Sequence, residues 1–190
     1  ALFALFVLTN LDVLLARHFL PAAQAGMYAA GAVVTKVAFW LPQFVATVAY
    51  PRLADHRRSE TLSKAAAAVA AIGLISVLVV ALVPGLVVAL IGGAAYAELT
   101  SEVWIFAAIG AAYALAQFLL YSQIAASKRA AIVVLWIAAL ALVILVALFH
   151  ASVLQIAIVV LSVASALALV GIIELFVERA RESGEQLSVE

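Results

Sequence analysis

A chain of 190 residues that is 69% hydrophobic and only 11% charged departs far from a soluble domain, which is roughly half apolar and about a quarter charged, and reads as an integral membrane protein. Ten Lys and Arg balance ten Asp and Glu, so net charge gives nucleic acid no footing and no nucleic-acid partner is expected. The lack of cysteine excludes disulfides, thiolate metal sites and cysteine nucleophiles, and His18, His56 and His150 show no ligand spacing, so neither a metal nor a cofactor is expected.

The apolar run begins at Ala1 with no basic leader or cleavage site, and Met27 is the only methionine, so the chain reads as a piece of a longer protein. A spanning helix needs about 20 mainly apolar residues. Six segments reach that length, at about 1–20, 24–50, 65–91, 102–123, 130–149 and 153–177. They predict an all-α, polytopic bundle of six transmembrane helices over 1–178, followed by a polar cytoplasmic tail at 179–190 that frays into water.

The first segment carries Thr9, Asn10 and Asp12, with Arg17 and His18 near its end. A short turn at 21–26 leads to the second, which Pro51 stops. The third is interrupted at Pro84 and Gly85, where a change of direction above about 20° is expected, and its alanine-rich start permits close helix approach. Only His150 to Ser152 separate the last two segments, which therefore form a tight antiparallel hairpin.

Positive charge sets the orientation. Arg52, Arg57, Arg58, Lys64, Lys128, Arg129, Arg179 and Arg181 all fall on one side, whereas Arg17 stands alone on the other, with Glu98 and Glu102. Both ends of the chain are thus expected in the cytoplasm, with the lipid bilayer as the first partner.

The second segment places Gln24, Tyr28, Gly31, Thr35, Lys36, Gln43 and Thr47 close to a helical repeat, a polar stripe that a lipid-facing surface would not carry. Counted from the turn near Ala22, Asp12 lies about 15 Å deep and Lys36 about 21 Å. A charge at that depth faces a cavity or a partner. Either Asp12 and Lys36 line a water-filled cavity, binding a cation or proton and an anionic substrate respectively, or they pair and fasten two helices together. Thr9 and Asn10 would add oxygen ligands for a hard cation, or bond to neighbouring helices.

Tyr113 and Gln117 share a face of the fourth segment and either look into the same cavity or only pack. Trp40, Trp104, Tyr50, Tyr96 and Tyr121 sit near segment ends, as interfacial anchors do. Glu174 and Glu178 lie at the last cytoplasmic end, where solvated carboxylates need no special role, and Arg57 and Arg58 suit anionic head groups.

The hairpin, TNLDVLLARHFL followed by GMYAAGAVVTKVAFWLPQFVATVAYPRLAD, resembles the flippases of the multidrug/oligosaccharidyl-lipid/polysaccharide superfamily, particularly the bacterial polysaccharide exporters. The later stretch VPGLVVALIGGAAYAELTSEVWIFAAIGAAYALAQFLLYSQIAASKRA is similar to that family's kinked ninth helix, loop and tenth helix. The resemblance implies the second six-helix lobe of a two-lobe transporter in the bacterial cytoplasmic membrane, partnered by the six-helix lobe that precedes it in the chain. It implies movement of a polyprenyl-pyrophosphate-linked oligosaccharide from the inner to the outer leaflet for cell-surface polysaccharide biosynthesis, with coupling to sodium ions or protons at Asp12.

A drug or cation antiporter of the same superfamily is the first alternative, and a membrane-embedded glycosyltransferase or polymerase the second. The latter needs a catalytic base or paired carboxylates. The longest connection, 51–64, offers only Asp55 and Glu60, so no catalytic residues are assigned and no enzyme activity is expected.

Overall fold

The computed structural model describes residues 2–49, 58–125 and 130–187, and every described element is helical. Helix α1 (Leu2–Phe19) and α2 (Ala22–Ala49) are followed by α3 (Arg58–Leu82), the short α4 (Pro84–Ile91), a 3-10 stretch at Gly93–Ser101, α5 (Val103–Ala125), α6 (Ala130–Leu148) and α7 (Val153–Leu187). The chain is therefore all-α and membrane-embedded. Leu62–Leu82, Val103–Tyr121 and Val153–Val177 are long and apolar enough to cross a bilayer, and Ile132–Leu148 is apolar but shorter. The cationic loop positions at 50–57 and 126–129 and the side chain of Arg181 lie outside the described residues.

Helix α5 is the axis of the bundle and packs against α2, α3 and α7. Its sequence, VWIFAAIGAAYALAQFLLYSQIA, is apolar on every side and rich in Ala and Gly, the composition that lets several helices approach one cylinder. At Gly110 an added Cβ would collide with the Thr35 carbonyl oxygen of α2 and lie 2.8 Å from the Ala38 Cβ. At Gly31 it would stand 2.6 Å from the Phe106 ring. The α2–α5 contact thus closes only because both helices lack a side chain where they cross.

One core joins α1, α2, α5, α6 and α7, including Leu8, Tyr28, Phe106, Ile109, Leu142 and Ile156, all fully buried. A second joins Leu62, Ala65, Ala66 and Val69 of α3 to Ala114, Phe118 and Leu119 of α5 and Leu175 of α7. Helix α3 leaves Leu74, Ile75, Leu78, Val79 and Leu82 exposed, an apolar face that suits lipid. Helix α1 rests on α2, α6 and α7, so the α1–α2 hairpin forms one flank of the molecule.

Several boundaries depart from the sequence-based expectation. Helix α3 starts at Arg58 rather than near 65, because apolar length locates the span and misses the polar turns of helix that extend it. The proline does interrupt the third segment: Val83 takes φ −128° and ψ 49°, and α4 restarts at Pro84, where a missing N–H does no harm. The connection after α4 is a 3-10 stretch entered through Gly93 at φ +67°, a left-handed backbone that glycine alone adopts without cost. The tail expected to fray past Glu178 stays helical to Leu187, since Glu, Arg, Ala and Gln are strong helix formers. Pro42 lies inside α2, where its ring removes one backbone bond from a helix that continues through it.

Candidate functional site: the polar seam of α1, α2 and α5

On α2 the polar residues divide between two faces. At 100° per residue, Thr35 lies within 20° of Tyr28, whereas Lys36 is turned 80° away. Tyr28 and Thr35 are buried and Lys36 is exposed.

The buried face meets α1 and α5. Asp12 is 3% exposed, and its Oδ2 accepts a hydrogen bond from the Tyr28 hydroxyl at 3.0 Å. The Tyr28 ring stands edge-on to Phe106 of α5, with centroids 5.3 Å apart. Two turns further along α2, the Thr35 hydroxyl donates to the Phe106 carbonyl at 2.9 Å. Tyr113, from the same helix as Phe106, is buried with its hydroxyl unpartnered, and it lies within electrostatic reach of Asp12 and Tyr28. Asp12 Oδ1 has no partner either. Two buried groups at the meeting of three helices thus hold unused hydrogen-bonding capacity, an uncommon state for polar atoms inside a protein.

The outer face is a separate arrangement. The Lys36 ammonium donates to Asn10 Oδ1 at 3.0 Å, and the Asn10 amide donates back to the Phe6 carbonyl at 2.8 Å. Thr9 turns its hydroxyl onto its own helix, bonding the Leu5 carbonyl at 3.0 Å. The direct Asp12–Lys36 pair allowed by depth counting is therefore replaced by two cross-helix bonds, Asp12 to Tyr28 and Lys36 to Asn10. Depth permits both bonds without choosing between them for Asp12: Tyr28 lies about 9 Å below the turn, as far above Asp12 as Lys36 lies below it, and Asn10, at about 18 Å, is nearer to Lys36 than Asp12 is.

The remaining candidates scatter. Gln117 is buried and donates to the Tyr121 hydroxyl at 3.0 Å, within α5. The side chains of Gln43 and Thr47 lie outside the described residues. Gln24 sits at the other end of the bundle, lining a cavity of about 150 Å³ with Glu98, Glu102 and Ser152, where burial pushes the Glu102 carboxyl up from its ordinary pKa. No group of three metal-ligating side chains occurs among the described residues. Asn10 thus bonds to a neighbouring helix, one of the two uses its sequence context allows, while Asp12 and Lys36 each take a partner other than the other. Compared with known protein families, with characterised proteins and with solved structures, the chain matches none.

Proposed function

We propose that the chain is a transporter lobe of the flippase type, moving a polyprenyl-pyrophosphate-linked oligosaccharide across a bacterial cytoplasmic membrane, with both of its ends in the cytoplasm and a second helical lobe opposite the α1–α2 flank. One observation carries the reading. Lys36 is exposed on the outside of the bundle, at a depth where lipid offers a cation no solvation, so its face opens onto water or an anion. A pyrophosphate linked to a lipid supplies that anion, and the family likeness of the two stretches points to the same cargo.

Ion coupling, on this reading, falls to Asp12, and the arrangement favours a proton over a metal ion. A hard cation needs about six oxygens, yet Thr9 bonds the Leu5 carbonyl and the Asn10 oxygen accepts from Lys36. A proton needs one carboxylate oxygen, and Asp12 Oδ1 is free to take it. Protonated, that oxygen becomes a donor.

The test is complementation of glycan export by the full-length protein. Lys36→Ala should abolish export at normal membrane expression, and Asp12→Asn should retain expression while uncoupling export from the proton gradient. Full export by Lys36→Ala would reject the anion-binding role.

A further inference from the structure

We infer that Trp40 and Phe6, on either side of the α1–α2 seam, form a stacking platform for the sugar next to the pyrophosphate. The inference rests on the transport reading above and adds to it a recognition element for the glycan itself.

Consider what flanks the Lys36–Asn10 pair. Helices α1 and α2 run in opposite directions, so moving from Lys36 toward the end of α2 is moving from Asn10 toward the start of α1. Trp40 lies four residues beyond Lys36, and Phe6 four residues before Asn10, each a shift of about 6 Å in the same direction and about 40° around the helix. Phe3 follows a further turn along α1. All three aromatic rings are turned outward, Trp40 at 62% exposure, Phe6 at 66% and Phe3 at 70%. Phe39 meets Trp40 edge-on with centroids 5.9 Å apart, which limits how the indole turns. On the opposite side of the pair the flank is aliphatic, with Leu14 of α1 and Val33 of α2 exposed.

This asymmetry matches the two halves of the cargo. A pyranose ring has one face of C–H bonds and a rim of hydroxyls, and the C–H face lies flat on an aromatic ring while the rim stays in water, the same division of apolar body and wet edge that suits Tyr and Trp to interfaces. A prenyl chain needs only aliphatic surface. With Lys36 holding the pyrophosphate, the sugar falls toward Trp40 and Phe6 and the lipid toward Leu14 and Val33. On the orientation proposed above, the aromatic end is the cytoplasmic one, so the glycan points to the compartment where it is assembled. Interfacial anchoring would account for Trp40 taken alone; the platform accounts as well for the exposed ring of Phe6 at the matching place on α1.

The test compares three variants of the full chain in a fluorescent lipid-linked oligosaccharide flipping assay in proteoliposomes, at matched protein levels. Trp40→Leu should slow flipping roughly tenfold, the size of one well-placed aromatic contact. Trp40→Phe, which keeps a ring, should restore at least half the rate. Lys36→Ala should abolish flipping. If Lys36→Ala is inactive and Trp40→Leu is not impaired, the platform is wrong and the transport reading stands. If neither change matters, the transport reading falls and takes the platform with it. Trp40→Phe failing as badly as Trp40→Leu would overturn ring stacking.

A binding measurement keeps the inference testable if Trp40→Leu does not accumulate. In a Trp104→Phe, Trp136→Phe background, Trp40 emission should shift on adding a polyprenyl pyrophosphate that carries one hexose, and not with the sugar-free polyprenyl pyrophosphate. Equal responses to the two probes would overturn it.

Discussion

At the scale of single residues, the seam depends on a buried carboxylate held by a phenol from the next helix. Removing the Tyr28 hydroxyl leaves Asp12 with no hydrogen-bonding side chain among the described residues, and an unsatisfied buried group costs about 1–3 kcal/mol. Tyr28→Phe should therefore destabilise the fold by that amount in a reversible unfolding titration in bicelles. Replacing both partners, as Asp12→Leu with Tyr28→Phe, should recover most of the loss, because an apolar pair leaves no orphan. A double variant no more stable than Tyr28→Phe alone would show that the hydrogen bond is not what Tyr28 contributes. The membership of this cluster was legible in the sequence, since Asp12, Tyr28, Thr35, Lys36 and Tyr113 each stand out in an apolar chain. The pairing was not. Depth along two antiparallel helices leaves Tyr28 and Lys36 equidistant from Asp12, and only the rotation of α1 about its own axis, fixed by its packing on α6 and α7, decides between them.

At the scale of elements, the α2–α5 crossing is set by Gly31 and Gly110. A Cβ at Gly110 meets backbone rather than a flexible side-chain tip, so it cannot be relieved by a rotamer change. Gly110→Ala should cost about 1–3 kcal/mol, the usual penalty for overpacking, and Gly110→Val more. Gly26, in the same helix as Gly31, has nothing within 4 Å of an added Cβ, so Gly26→Ala should stabilise by about 0.5–1 kcal/mol through helix propensity alone. Equal effects of the two alanine substitutions in thermal unfolding would deny the close crossing. The helices themselves were legible because apolar length and Pro84 are strong signals. The 3-10 stretch at Gly93–Ser101 and the helical tail to Leu187 were not, since hydropathy finds what enters the bilayer and says nothing about polar sequence that stays helical outside it.

For the whole molecule, the orientation rests on where positive charge collects. The chain contains no cysteine, so single cysteines report accessibility without further changes. His18 and Arg179 are both exposed, at opposite ends of the bundle. Cysteine in place of Arg179 should react with an impermeant maleimide only from the cytoplasmic side, and in place of His18 only from outside. Reaction of both from the same side would reject the odd number of crossings that the six-helix topology places between them.

The central claim is that the α1–α2 flank faces water or an anion rather than lipid, and the accessibility of Lys36→Cys to a charged, membrane-impermeant methanethiosulfonate tests it directly. Leu78→Cys, on the exposed apolar face of α3, is the lipid-facing control. An aqueous flank predicts rapid modification of Lys36→Cys, slowed by the lipid-linked glycan, and none of Leu78→Cys. A Lys36→Cys variant as inert as Leu78→Cys would contradict the account.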